Sequence, residues 1–315
     1  MKPRVLVAAP LAGDAVERLR AIADVEQAPH VLSQEELHAR IDGAVGLVSL
    51  LVHRIDARLL ARAPGLRVVG NHAVGVDNVD LAACAARRVV VTNTPGVLTE
   101  ATADLTFALL LDAARRVTEG DRLVRSGAWR GWEPTAHLGR RVHGSTLGVV
   151  GFGRIGRAVA ARARGFSMRI LYASRSAAPP EVEVALGATR VSLDALLAEA
   201  DFVSLHAPLD EGTRGLLGAA ELARMRRGAV LVNTARGALV DEDALVAALR
   251  AGHLVAGLDV YREEPAVPAA LRALPNVVLA PHVGSADFPT RAAMATLACE
   301  GVAAVLEGRA PPHPV

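Results

Sequence analysis

The chain is almost without lysine: Lys2 is the only one among 35 lysines and arginines in 315 residues. Chemistry that needs an ammonium inside the fold is thereby excluded, namely Schiff-base formation, a lysine general base and the lysine of a P-loop. Cysteine is nearly as scarce. Cys84 and Cys299 are the whole complement, too few for a disulfide framework or a cysteine metal site, and both lie in alanine-rich surroundings that read as helical. Aromatic residues make up 3% of the chain and no basic run is interleaved with them, so nucleic acid is not an expected partner. The formal net charge is only +2, and a sequence pI near 8.8 reflects scattered arginine rather than a patch. No segment approaches about 18 consecutive apolar residues, and the run Val5 to Ala9 is too short for a signal-peptide core. A soluble cytoplasmic protein with no membrane partner and no metal is expected. His53, His137 and His143 have no motif around them and read as surface or internally satisfied residues.

What the chain has is apolar bulk, 51% of residues, and a regular alternation of strand-like and helix-like segments. Its length suits two domains. Val5 to Ala9, Gly46 to Leu50, Val68 to Asn71 and Val89 to Thr92 read as buried strands. Ala12 to Ala23 and Ser33 to Arg40 read as helices between them, the second with Ser33 as N-cap and Glu36 completing a capping box. A long apolar-periodic helix is expected over Glu100 to Gly120, followed by an irregular segment, Ser126 to Val142, that holds both tryptophans. A second α/β unit begins at Thr146, with strands at Thr146 to Val150, Met168 to Tyr172, Phe202 to Leu205, Val230 to Asn233, Val255 to Leu258 and Val277 to Leu279. After it, one helix, Pro289 to Gly308, is expected to return to the first unit. The pattern predicts an α/β protein of two doubly wound parallel-sheet domains. Residues 1–97 with 284–315 would form a discontinuous substrate-binding domain, and residues 98–283 a dinucleotide-binding domain inserted in it.

The strongest single motif is Gly151-Phe152-Gly153-Arg154-Ile155-Gly156, directly after the strand Thr146 to Val150 and before a helical run from Arg157. Gly151 permits the tight turn, Gly153 lets the backbone approach a pyrophosphate, and Gly156 lets helix pack on strand. The next strand ends in Ser174-Arg175-Ser176, where roughly 20 residues on a ribose-binding acid is expected. Hydroxyl donors and a positive charge suit a 2′-phosphate, so NADP is the favoured cofactor, with NAD possible.

In an open α/β sheet, ligands lie beyond the carboxyl ends of the strands. Here those ends carry His206-Ala207-Pro208, Thr234-Ala235-Arg236-Gly237, Asp259 through Glu264-Pro265, and Pro281-His282-Val283-Gly284. Hydride transfer to a 2-oxo acid needs an anchor for the carboxylate, a proton donor for the carbonyl oxygen, and a group that keeps the donor charged. Arg236 fits the first need by bidentate pairing, His282 the second, and Glu264 the third.

These segments, together with Asn71 to Asp80 and Asn93 to Asp104, resemble the D-isomer-specific 2-hydroxyacid dehydrogenases, most closely the glyoxylate/hydroxypyruvate reductases, over about Gly46 to Leu306. The resemblance implies that Arg236, Glu264 and His282 are catalytic, and that Leu51, Val74 and Gly75 join Arg236 and His282 in binding substrate. It implies that Asp259 holds the nicotinamide amide, and that Thr102, His206, Ala207, Pro208, Thr213, Thr234, Ala235 and Gly284 complete the cofactor contacts of the glycine turn. It also implies a homodimer, with the segment of Trp129 and Trp132 reaching toward the partner. His72 and Val76 depart from the tyrosine often found in relatives, which leaves the rank of substrates open. An NAD-linked dehydrogenase of a larger acid, and a dinucleotide-sensing corepressor-like scaffold, are the alternative readings.

Overall fold

Five short runs, four of them largely buried, form the strands of the first sheet in the computed structural model, which describes residues 2–315. These are β1 (Arg4–Val7), β2 (Asp24–Gln27), β3 (Gly46–Ser49), β4 (Val68–Asn71) and β5 (Val90–Thr92). All pair in parallel in the order β2-β1-β3-β4-β5, the flavodoxin-like winding. Side chains alternate between faces as the pleat requires. Val5 and Val7 enter one core with the helices Ala15–Ile22 and Phe288–Leu306, while Leu6 and Ala8 enter the other with Leu37, Leu59 and Leu60. The C-terminal helix lies very close to the strands because small residues face it. A Cβ on Gly70 would strike the Ala298 carbonyl oxygen, and one on Gly301 would strike Thr92.

The second sheet has seven parallel strands: β6 (Thr146–Val150), β7 (Arg169–Ala173), β8 (Ala188–Arg190), β9 (Phe202–Leu205), β10 (Ala229–Asn233), β11 (Leu254–Leu258) and β12 (Val277–Leu279). Their order is β12-β11-β10-β9-β6-β7-β8, a dinucleotide-type sheet with one added strand and its switch point between β6 and β9. Chain packing separates Met1–Leu98 with Ser285–Val315 from Thr99–Gly284. Among the described residues no helix is long and apolar enough to cross a membrane.

Two expectations are corrected. β2 and β8 were not among the expected strands; both are short edge strands of largely polar sequence, DVEQ and ATR, which carry no apolar run to find. The single helix expected over Glu100 to Gly120 is two helices, Thr99–Arg115 and Val117–Arg125, separated by Arg116 in the left-handed region at φ 59. Asp112 stabilises the break by accepting the Thr118 N–H at 2.7 Å and the Thr118 hydroxyl. The expected capping box is present, with Ser33 Oγ accepting the Glu36 N–H and Glu36 accepting the Ser33 N–H.

His53 is a satisfied core histidine, 1% exposed. Its Nδ1 accepts the Leu50 N–H at 3.0 Å and its Nε2 donates to Leu32 O at 2.9 Å, an arrangement that only the neutral ring completes. Burial pushes its pKa below the ordinary 6.5, against a smaller opposing effect of the Leu32 carbonyl. The unfolded chain therefore binds the proton first, so the stability His53 contributes is present above pH 6.5 and lost as pH falls through the folded value. Urea unfolding of His53→Gln should show a loss of about 1–2 kcal/mol at pH 7.5 and a shallower decline toward pH 5 than in the parent chain. An unchanged acid slope would show that this ring is not the titrating group.

Candidate active site

Two of the three glycines after β6 are required by close backbone contacts, and the third borders open space. Gly151 has φ +89, and a Cβ there would lie 2.5 Å from the Ala207 N and 2.6 Å from the His206 carbonyl carbon. A Cβ on Gly156 would strike the Gly151 carbonyl oxygen, so this residue sets the approach of the helix Arg154–Gly165 to its strand. At Gly153, the N-cap of that helix, a Cβ would meet nothing within 4 Å. Open space above an uncapped helix N-terminus is what a pyrophosphate needs.

A cavity of about 900 Å³ adjoins this turn. Its wall includes Gly151, Phe152, Gly153, Ser174, Arg175, Ser176, His206, Ala207, Pro208 and Thr213 from the sequence expectation. It also includes Arg157, Arg190 and Asp210, which the sequence reading left out. Arg154, Ile155 and Gly156 lie outside the wall, as do Thr102, Thr234, Ala235, Asp259 and Gly284. Several wall residues are already engaged. Phe152 stacks on Tyr172 at 4.1 Å between ring centroids, and Thr213 Oγ1 donates to Pro208 O at 2.7 Å. Ser174 Oγ donates to Ser176 O, and Arg175 pairs with Asp210 at 3.0 Å. Ser204 Oγ is 2.8 Å from His206 Nε2, and burial pushes His206 down to about 3, so this ring is neutral beside the cavity. Thr234 meets Thr106 hydroxyl to hydroxyl at 2.8 Å beneath the strand ends.

Arg236, Glu264 and His282 come together at the carboxyl ends of β10, β11 and β12. Gly237 makes this possible, because any Cβ there would collide with the Tyr261 carbonyl group. The chain after β10 can thus press against the chain after β11. Asn233 Nδ2 donates to Arg236 O at 2.8 Å, and Arg236 Nη1 donates to Ala235 O at 2.7 Å. Glu264 Oε1 accepts the Tyr261 N–H at 3.0 Å, leaving Oε2 to meet His282 Nδ1 at 2.6 Å. Each side chain of that pair is 25% exposed. Burial alone would raise the Glu264 carboxyl; the His282 hydrogen bond and charge, the Tyr261 N–H and the Arg236 charge outweigh it and hold it below its ordinary range. The pair leaves His282 Nε2 as the atom available to a ligand.

Asp259 works on the backbone of the same turn. Its Oδ1 accepts the Val283 N–H at 2.7 Å and its Oδ2 the Gly284 N–H at 2.8 Å. His282, between β12 and these amides, has φ 55. Tyr261 adds a further tie, its hydroxyl donating to Ala280 O at 2.7 Å, and burial with the nearby Asp259 and Glu264 charges pushes that phenol up to about 12. The sequence motif pointed at Asp259 but not at this backbone role; the signal was its place immediately after β11.

In the first unit, Leu51 lies in the turn after β3, and Val74 and Gly75 lie in the loop after β4. Asn93 Nδ2 donates to Val74 O at 2.8 Å and Asn71 Nδ2 to Gly75 O at 2.9 Å. Among the described residues neither the Val74 nor the Gly75 N–H has an acceptor in the protein. His72 beside them is buried, with Nδ1 unpartnered.

Comparison with known proteins gives one consistent picture. The family model described as D-isomer specific 2-hydroxyacid dehydrogenase, NAD binding domain, matches residues 107–284. The chain is 48% identical to the glyoxylate reductase of Korarchaeum cryptofilum, covering 99% of this chain and 96% of that protein. It is 47% identical to the glyoxylate reductase of Thermococcus onnurineus, covering 99% and 95%. Among solved structures, the NADPH-dependent glyoxylate/hydroxypyruvate reductase of Sinorhizobium meliloti, in complex with NADP and malonate, is similar at 35% identity and TM-score 0.89, covering 100% of this chain and 97% of that one.

The Asp259 clamp yields a measurable expectation. An amide at this position has a single acceptor oxygen and an NH2 group that opposes one of the two N–H donors. Asp259→Asn should therefore lower the unfolding free energy by about 1–3 kcal/mol in denaturant titrations. Unchanged stability would show that the two amides find other acceptors.

Proposed function

Because the chain belongs to the D-isomer-specific 2-hydroxyacid dehydrogenases, we propose that it reduces glyoxylate and hydroxypyruvate to glycolate and D-glycerate, with NADPH preferred to NADH. The observation that carries this reading is the His282–Glu264 contact of 2.6 Å, with Arg236 near enough for its charge to act on the same carboxyl. The residues of the second unit fit a dinucleotide: the cavity opens beside a helix N-terminus at which even a Cβ would meet nothing. Gly151 to Gly156 would hold its pyrophosphate, and Ser174 to Ser176 the adenosine ribose and its 2′-phosphate. His206 to Pro208, Thr213, Thr234, Ala235, Thr102, Asp259 and Gly284 would flank the remainder. The bound cofactor supplies the hydride.

The chain's own groups supply the rest. Arg236 grips the substrate carboxylate and polarises the adjacent carbonyl; in the first unit the N–H groups of Val74 and Gly75, without an acceptor among the described residues, are donors of the kind a carboxylate takes. Leu51 offers an apolar contact. His282 Nε2 holds the proton destined for the carbonyl oxygen, while Glu264, kept ionised at neutral pH, favours the imidazolium form through Nδ1.

The decisive measurement is steady-state turnover of glyoxylate and hydroxypyruvate with NADPH and with NADH; no turnover with any pairing would favour a nucleotide-sensing scaffold. His282→Ala should lower kcat by roughly 10² to 10⁴ with little change in cofactor affinity. Glu264→Gln removes the charge that favours imidazolium, so reductive activity should fail at lower pH as pH rises. Arg236→Lys should raise KM for the oxo acid and lower kcat, since a point charge does not reproduce a bidentate grip. A His282→Ala enzyme with parental kcat at every pH would remove His282 from the mechanism.

The proposed assembly is a homodimer through the cofactor domain. Its support is the helix Val117–Arg125, which buries no residue of its own, and the exposed Val117, Val124, Trp129, Trp132 and Leu138. So much exposed apolar surface in one stretch suits a protein interface. Sedimentation should give a dimer at micromolar concentration, weakened by Trp132→Ser; a monomeric parent chain would refute it.

A further inference from the structure

Three arginines line the nucleotide cavity, and they are in different electrostatic states. Arg157 Nε donates to Phe152 O at 3.0 Å and so belongs to the glycine turn. Arg190, from the edge strand β8, donates through Nη2 to both Ser174 O and Arg175 O at 3.0 Å. Two carbonyls thus fix this guanidinium beside the loop after β7, and among the described residues no carboxylate pairs with it. Arg175 is the opposite case. Its side chain is 77% exposed and its Nη1 lies 3.0 Å from Asp210 Oδ2.

Asp210 is held in place by its own turn. Its N–H donates to Thr213 Oγ1 at 2.8 Å, and its carbonyl accepts the Arg214 N–H at 3.0 Å. The turn fixes the Asp210 backbone, and Arg175 reaches the carboxylate that it presents. A phosphate monoester carries about −1.5 to −2 charges at neutral pH and would meet these groups very unequally. Arg190 is a preformed cation with its remaining donors unspent. Arg175 is already partly neutralised, and an anion reaching for it also approaches the Asp210 carboxylate. A free ribose hydroxyl has no such conflict, because a carboxylate can accept from it.

We infer that Asp210 is a cofactor-selectivity residue. By pairing with Arg175 it weakens that arginine as a phosphate ligand, leaving Arg190 as the principal cation for the 2′-phosphate and narrowing the preference between the two nicotinamide dinucleotides. The inference rests on the proposed placement of the adenosine ribose at the end of β7, and it assigns roles to two residues the glycine motif does not contain.

Binding rather than turnover tests it, by calorimetry on the full chain without substrate. The probes are NADP⁺ and NAD⁺, and as a smaller pair adenosine 2′,5′-bisphosphate and 5′-AMP, which differ only in the 2′-phosphate. Asp210→Asn should tighten NADP⁺ and the bisphosphate about two- to fivefold, the range set by an exposed charge pair, and leave NAD⁺ and 5′-AMP within twofold. The gain should vanish in an Arg175→Ala background and shrink as salt screens the pair. Arg190→Gln should weaken NADP⁺ about tenfold or more with NAD⁺ nearly unchanged, and Arg190→Lys should retain most of the lost affinity. An Asp210→Asn chain that binds both dinucleotides as the parent does, that shifts both equally, or that keeps its gain without Arg175 overturns the role of Asp210. Equal weakening of NADP⁺ and NAD⁺ by Arg190→Gln overturns the role of Arg190. Absence of glyoxylate turnover alongside the expected binding pattern would defeat the proposed activity and leave this inference standing; normal turnover with a flat binding pattern would do the reverse.

Discussion

The carboxylate of Asp259 is the interaction on which the loops at the carboxyl ends of β11 and β12 depend. It is fully buried, and both its oxygens are committed to consecutive backbone amides at 2.7 and 2.8 Å. The residue before those amides, His282, lies at φ 55, a conformation that costs an L-residue on the order of 1–2 kcal/mol. Two charge-assisted hydrogen bonds in a water-poor setting can offset that cost. The same turn is held from below by the Tyr261 hydroxyl on Ala280 O and from the side by Glu264 on the ring. His282 is therefore placed by backbone constraints first and by its own side-chain contact second. The turn sets the backbone of the histidine, and the Nδ1 contact to Glu264 sets its ring, leaving Nε2 for a ligand.

Much of this arrangement was legible because it combines residue type with topology. An arginine, a glutamate and a histidine at the ends of three successive predicted strands point to a shared edge in any doubly wound sheet. The glycine turn was legible for the same reason, and Gly151 and Gly156 have the steric causes expected of them. What was not legible belongs to longer-range pairing. β2 and β8 exist because a neighbouring strand offers them a ladder, not because DVEQ or ATR has strand character. The break at Arg116 was hidden by an apolar period that continues across it without proline; the Asp112 carboxylate reaching Thr118 six residues on creates it. Arg190 could not be placed on the cavity wall from sequence because its strand carries no signal of its own.

The cavity shows how donors in a local segment are engaged by acceptors of the protein itself. Ser174, Arg175 and Ser176 read as three donors for a phosphate, yet the Ser174 hydroxyl is spent on Ser176 O and the Arg175 guanidinium on Asp210. The donor count in a segment is an upper bound, since each donor can be claimed by acceptors that arrive from distant sequence. Here the claimant stands 35 residues along the chain, in a loop that the strand order brings to the same wall. Charge balance at the site is consequently a property of the sheet topology as much as of the motif.

The two carboxylates around His282 show the same dependence on surroundings. Burial raises the pKa of Asp259, and the two amides with the His282 charge only partly oppose it. At Glu264 the balance runs the other way: the His282 bond, the Tyr261 N–H and Arg236 outweigh burial, and the carboxyl is held below its ordinary range. Environments that push two acids apart divide their work. Among the described residues Asp259 has no cation in hydrogen-bond contact, and it serves as an acceptor for backbone. Glu264 keeps a quarter of its side chain in solvent and carries the charge that the imidazole feels. If the positions of the two acids were exchanged, the charge would lie on the backbone turn and the ring would face the acid whose ionised form burial disfavours. Their order along the chain, one directly after β11 and the other five residues farther on where the loop reaches solvent, is what assigns one acid to the backbone turn and the other to the imidazole ring.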